Sequence, residues 1–250
     1  MGSSSLNSKN IASSSFALDV ALGKVPGVST RIRTGFNNTI TNVPEDIWTV
    51  GGQQVFLAVA EPMDIVSTDA NDNSAGTGLQ TLQIFGLDGN FDEVDEEVIM
   101  NGLTIVTTVN SYLRVHDLRG VSAGTSGNNE GDITATASID GSIQNEMLGG
   151  SNASQSLQYT IPNGKTGAAT KLTFSDAAGD AMIFSFFTRL FGGLFTIQNV
   201  EQIAGGTFEF SFEPFTSLQE KTDVRLIANQ SSGGGSTTSS AILQLYLVDN

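Results

Sequence analysis

The sequence predicts an all-β protein, and three observations carry that prediction. Apolar and polar residues alternate over short stretches, as where Phe208, Phe210 and Phe212 stand between Thr207, Glu209, Ser211 and Glu213. Successive strand side chains point to opposite faces, so this alternation buries one face and wets the other. Charged residues make up only 15% of the 250, and Ala, Leu, Glu and Lys do not recur at helical spacing. Clusters of Gly, Asn, Asp and Ser punctuate the chain at intervals of about 8–12 residues, the rhythm of a β-sandwich or jelly roll. A chain of this length suits one large or two modest domains.

Residues 1–15 are polar and of low complexity, without the apolar core of a signal peptide. Phe16, Leu18, Val20 and Leu22 then alternate until Pro26-Gly27 breaks the pattern, and Val28 and Ile32 favour extended chain. This segment reads equally as a docking arm or as the first strand of the body. Val43 to Gly52 forms an irregular joint around the lone tryptophan, Trp48. Residues 1–49 are therefore assigned to an N-terminal arm and joint.

Residues 50–150 are expected to form a first antiparallel β-sandwich. Strands are placed at 53–60 and 63–68, followed by a polar loop from Asp69 to Gly78. Leu79–Leu87 and Phe91–Met100 make the clearest hairpin, because Asp88-Gly89 supplies a turn that tolerates φ > 0. Further strands are expected at Leu103–Val109, Tyr112–Ser122 and Ile133–Ile139. A turn-rich seam at Gly149–Ser154 opens a second, jelly-roll-like sandwich over 151–250. Its strands are expected at 157–161, 168–175, 181–188, 194–200, 207–213, 223–228 and 241–248, with a flexible loop at 231–240. In the last strand both faces are apolar, Leu243, Leu245 and Leu247 against Ile242, Tyr246 and Val248, so a second layer is expected to cover it.

The composition speaks against several function classes. The net charge is −15, concentrated in residues 41–150, which carry Arg114 and Arg119 against seventeen acids. Such a body repels nucleic acid, so no nucleic-acid partner is expected. No apolar run reaches the roughly 18 residues of a membrane span, and no membrane partner is expected. With no cysteine, disulfides and thiolate metal sites are excluded.

Individual motifs also favour plain readings. A calcium loop beginning at Asp88 needs Gly and Glu at its sixth and twelfth positions but meets Glu93 and Ile99, so Asx turns explain that stretch better. The acidic run Asp92 to Glu97 reads as a solvated strand that discourages edge pairing rather than as a glycosidase carboxylate pair. His116 lies near Arg114 and Asp117 without a Ser- or Cys-centred nucleophile motif to recruit it. No catalytic residue, metal site or cofactor is expected, and the chain is read as a non-enzyme.

Several blocks stand together in a distinctive order: Phe16-Ala-Leu-Asp-Val-Ala-Leu-Gly-Lys-Val-Pro-Gly-Val-Ser29, Pro44-Glu-Asp-Ile-Trp-Thr-Val-Gly-Gly52 and Thr68-Asp-Ala-Asn-Asp-Asn-Ser-Ala-Gly-Thr-Gly78. They continue through Ile84-Phe-Gly-Leu-Asp-Gly-Asn-Phe-Asp-Glu93, Asn110-Ser-Tyr-Leu-Arg-Val115, Ile161-Pro-Asn-Gly-Lys-Thr166 and Glu220-Lys-Thr-Asp223. The series resembles a family of virion structural proteins of tailed bacteriophages. That resemblance implies a component of the particle, assembled in the host cytoplasm and located in the virion.

The leading expectation is a head decoration or cement protein that binds the assembled lattice as a homo-oligomer, a trimer, with the major capsid protein or other virion subunits as partners. A tail, baseplate or fibre-adaptor protein and a host-surface carbohydrate binder are the alternatives. The partner-docking arm would use Val25, Pro26 and Gly27 to set its turn, Arg31 and Arg33 to meet a neighbour's carboxylates, and Trp48 at the joint.

Overall fold

The computed structural model describes residues 16–231 and 235–250, with all of their side chains except those of 178–180. It is all-β, with antiparallel strands in three sheets among the described residues. The polar stretch 1–15 and part of the expected loop at 231–240 lie outside those residues. Among the described residues a single short helix, α1 (Phe16–Ala21), precedes β1 (Val28–Ile40) and the two-residue β2 (Glu45–Asp46). Eight strands follow: β3 (Glu61–Ser67), β4 (Leu79–Leu87), β5 (Glu93–Ile99), β6 (Val106–Tyr112), β7 (Arg114–Ala123), β8 (Ile133–Ala137), β9 (Ile143–Met147) and β10 (Tyr159–Thr160). The chain continues through β11 (Lys165–Leu190), β12 (Thr196–Leu218), β13 (Thr222–Gln230) and β14 (Thr237–Asp249).

Residues 61–147 form a distal sandwich. One sheet has the order β6-β3-β8-β9 and the other β5-β4-β7. Alternating residues from both, among them Met63, Ile65, Leu82, Ile84, Leu118 and Ile133, fill one core and are nearly inaccessible. Each such side chain contributes on the order of 2 kcal/mol by burial. The expected Asp88-Gly89 hairpin is present, with Leu87 opposite Glu93 and Thr81 opposite Ile99. Asp72 holds the long loops at one end together. Its carboxylate accepts bonds from the Ser67 hydroxyl (2.6 Å) and from the amides of Leu79 (2.7 Å), Glu130 (2.9 Å) and Gly131 (2.9 Å). Burial alone would raise its pKa, but these donors hold it below the usual carboxylate range.

The proximal body is built from both flanks of that sandwich. Its sheet runs β1-β14-β11-β13-β10, with β12 on β11 and β2 on β13. Its core joins Ile40 and Ile47 to Leu157, Phe174, Phe184, Phe186, Leu226 and Leu243. Of the segment read as arm or first strand, Phe16–Ala21 is the helix α1, against the strand-like alternation of its apolar residues, and the part from Val28 is a strand of the body. β1 pairs with β14 from Val28↔Val248 to Ile40↔Thr237. Gly35 makes this fit possible, because a Cβ there would lie 2.3 Å from the Ile47 carbonyl oxygen. The body at 151–250 is accordingly completed by β1 and β2 from the other end of the chain.

The four strands expected between 168 and 213 merge into two long ones. Gly205 and Gly206 adopt positive φ (75° and 83°), and the β11–β12 register shifts between Asp176 and Ala181. The hairpin passes through that bulge instead of turning, and β11 changes partner there from β14 to β13. The outer face of β14 is partly covered from within the chain, where Phe16 of α1 meets Tyr246 edge-on at 5.4 Å.

Candidate functional site

β1 ends the proximal sheet, so its outer edge carries no ladder and faces the distal sheet β5-β4-β7. A cleft of about 500 Å³ lies between them, within the range of about 300–1,000 Å³ usual for small-molecule sites. Strand alternation sets its walls. Arg31 and Arg33 come from β1, while Asp95, Phe85 and Asp117 stand directly opposite one another across β5, β4 and β7.

The charges of the cleft balance, with Arg31, Arg33 and Arg119 against Glu93, Asp95 and Asp117. Arg31 meets Glu93 at 3.0 Å, and Asp117 receives Arg33 at 2.7 Å and Arg119 at 3.4 Å. Arg119 also lies over the half-buried Phe85 ring, 5.3 Å from its centroid. Arg33 is only 4% exposed and donates to the carbonyls of His116 and of Ser156 (2.9 Å).

The floor is formed by Tyr159 and His116, whose rings lie 4.4 Å apart. His116 accepts the Thr160 amide at Nε2 (3.2 Å). Burial first, then the positive charges of Arg33, Arg114 and Arg31, hold its pKa well below the usual value, so the ring is neutral. Burial pushes the Tyr159 phenol up to about 12, leaving it protonated at neutral pH. Its hydroxyl lies within hydrogen-bonding reach of Arg31, whereas the Nε of Arg33 is buried and makes no hydrogen bond within the chain.

A second polar group joins the two bodies behind this cleft. The fully buried Asp223 accepts Arg114 Nε (2.9 Å) and Nη2 (3.0 Å) from the distal body and Arg189 Nε (2.8 Å) from β11. Asp46 of β2 takes Arg225 in the same two-pronged way. Phe56 sits among these guanidinium groups, 5.0 Å from Arg114 and from Arg189 and 5.6 Å from Arg225. Phe195, at the tip of the β11–β12 hairpin, meets Phe56 edge-on at 5.2 Å. Every prong is a charge-assisted bond in a site with little water, which makes this a strong structural joint.

The residues singled out as a docking arm separate into three places. Arg31 and Arg33 reach the cleft, where the carboxylates they meet belong to their own chain. Val25-Pro26-Gly27 forms the turn before β1, held by the Asp249 amide on the Gly27 carbonyl (2.8 Å). Trp48 is not a docking residue: it is 3% exposed, and its indole donates to the Gly51 carbonyl at 2.9 Å. Among the described residues no cluster of three or more His, Asp or Glu is placed to hold a metal ion. In the acidic run, Glu96 accepts the amides of Val109 (2.9 Å) and Asn110 (2.8 Å), which is a structural task. Sequence reasoning missed Phe85, Arg119 and Tyr159, since only the junction of the two bodies brings them together.

No family model matches the chain, and no curated protein matches it. Among solved structures, one of infectious bursal disease virus, Gx strain, aligns with 90% of this chain and 73% of its own at 9% identity and a TM-score of 0.23. The VP2 subviral particle of the same virus aligns with 90% of this chain and 73% of its own at 11% identity and a TM-score of 0.20. At such scores the superposition settles neither fold nor role.

Proposed function

We propose that the chain is a non-enzymatic structural component of a tailed-phage particle, a head decoration protein that binds the assembled lattice as a symmetric oligomer. The observation that carries this reading is β12. Among the described residues it pairs with β11 alone, so a strand of 23 residues has one edge that none of them covers. Ile197 (53% exposed), Val200 (50%) and Phe215 (59%) lie exposed along it, and Leu194 (89%) stands at the adjoining turn. A long apolar edge is an aggregation template unless another chain covers it, and a packed lattice supplies that cover many times over. The resemblance of the sequence blocks to virion proteins supports the same reading.

The test is the location and copy number of the protein in purified particles, by quantitative mass spectrometry and particle reconstruction. Copies on the order of hundreds, as a closed head lattice dictates, support decoration. Roughly three to twelve copies would move the protein to the tail, and its absence from intact particles would end the proposal.

A further inference from the structure

We propose that the cleft between β1 and the β5-β4-β7 sheet binds a neutral, hydroxyl-rich ligand of the saccharide class. This goes beyond the particle role and does not depend on it. The ligand class follows from what the cleft leaves unspent. The three guanidinium groups of the cleft, Arg31, Arg33 and Arg119, are balanced by the three carboxylates Glu93, Asp95 and Asp117, so the cleft carries no net charge to recruit an ion. Hydrogen-bonding capacity does remain. A guanidinium has five N–H donors and a carboxylate about four acceptor sites, and the pairs use only part of each. Hydroxyl groups both donate and accept, so vicinal hydroxyls can bridge such a pair without breaking it.

The apolar part of the cleft fits the same chemistry. Phe85 presents a half-buried ring with Asp95 and Asp117 directly opposite it on the neighbouring strands. With the exposed Arg119 side chain swung off the ring it covers, an aromatic face flanked by two carboxylates matches a pyranose, which has a C–H face and a rim of hydroxyls. Ile32 and Val94 complete the apolar wall. The independent sign is the floor, where Arg33 Nε is a buried donor without a partner. Buried donors of this kind are rare in folded proteins and point to a missing acceptor.

The experiment is saturation-transfer NMR on the full chain, with methyl glucoside, methyl galactoside, methyl mannoside, N-acetylglucosamine, lactose and maltose as probes. Expected is transfer to at least one of them, with a Kd on the order of 1 mM. Asp95→Asn and Phe85→Leu should each weaken that binding at least fivefold, with melting temperatures close to that of the parent. Asp95 is exposed and Phe85 half-exposed, so both variants are expected to fold. The proposal is overturned if no probe shows transfer at millimolar concentration, or if both folded variants bind as the parent does. It is equally overturned if an extended peptide added to the β1 edge is the only ligand found. Failure here leaves the copy number in particles untouched, so the two readings fall separately.

Discussion

His116 shows how a single residue ties the cleft to solution conditions. Its ring is buried against Tyr159, and Arg33, Arg114 and Arg31 add positive charge around it, so it stays neutral in the folded chain. In the unfolded chain it titrates near pH 6.5. Below that pH the unfolded state binds a proton that the folded state refuses, so stability is fully present above about 6.5 and falls as the pH drops toward the lowered folded value. The slope reaches about 1.4 kcal/mol per pH unit for one group. His116→Gln keeps an acceptor for the Thr160 amide and removes the titration. Urea melts at pH 7.5, 6.5 and 5.5 should show the parent losing stability relative to the variant as the pH falls. Parallel losses would mean that the folded ring takes up the proton, and the account of its environment would be wrong.

At the scale of elements, the decisive case is β1. Phe16 to Leu22 alternate like a strand but Phe16–Ala21 is a helix, and Val28 to Thr34 favour extended chain with nothing to say whose sheet it joins. The answer lies with β14, more than two hundred residues away, and with the space that Gly35 leaves for Ile47. Deleting residues 28–40 should therefore remove a body strand and Ile40 from the core, and with them cooperative unfolding as read by circular dichroism. A soluble deletion variant that melts like the parent would show that β1 is dispensable. It follows that loss of particle binding on removing residues 1–40 is expected from unfolding alone and is not a measure of docking. Other elements were legible from local pattern: β4 has the bounds read from Leu79 to Leu87, although the left-handed residue of the turn after it is Phe91 (φ 69°) and not Gly89, with the Asp88 carboxylate accepting the Asn90 and Asp92 amides. The long β11 and β12 stand where the sequence suggests four strands, because a bulge at Gly205-Gly206 keeps one hairpin continuous. The cleft was only half legible. Arg31 and Arg33 were visible as basic residues in a positive segment, whereas Phe85, Arg119 and Tyr159 belong to strands that meet only through the assembled fold.

The whole molecule is two cores joined by the cleft pairs of β1 and by the polar seam of the buried Asp223 group, and that organisation has a measurable consequence. The distal and proximal cores share no residue, so their coupling runs through the contacts between the bodies, with Arg114 on Asp223 at the centre. Asp223→Ala would leave Arg114 and Arg189 without their carboxylate in a buried setting. Removing one partner of such a group costs about 3–5 kcal/mol, mainly because a charge is left buried and uncompensated. If the seam is what makes the two bodies unfold together, the variant should also separate their transitions. Trp48 provides the local probe, since it is the only tryptophan and is buried beside the seam, bridged to Ser156. Its fluorescence should report the proximal body, while far-ultraviolet circular dichroism reports the strands of both. In the parent the two urea curves are expected to coincide. In Asp223→Ala the fluorescence midpoint should fall first and the dichroism curve should broaden or split. Asp223→Asn, which keeps an oxygen acceptor for one guanidinium, should fall between parent and alanine variant. Coincident curves in all three proteins, with midpoints barely moved, would show that apolar contacts such as Phe56 on Phe195 hold the bodies together without the charged seam.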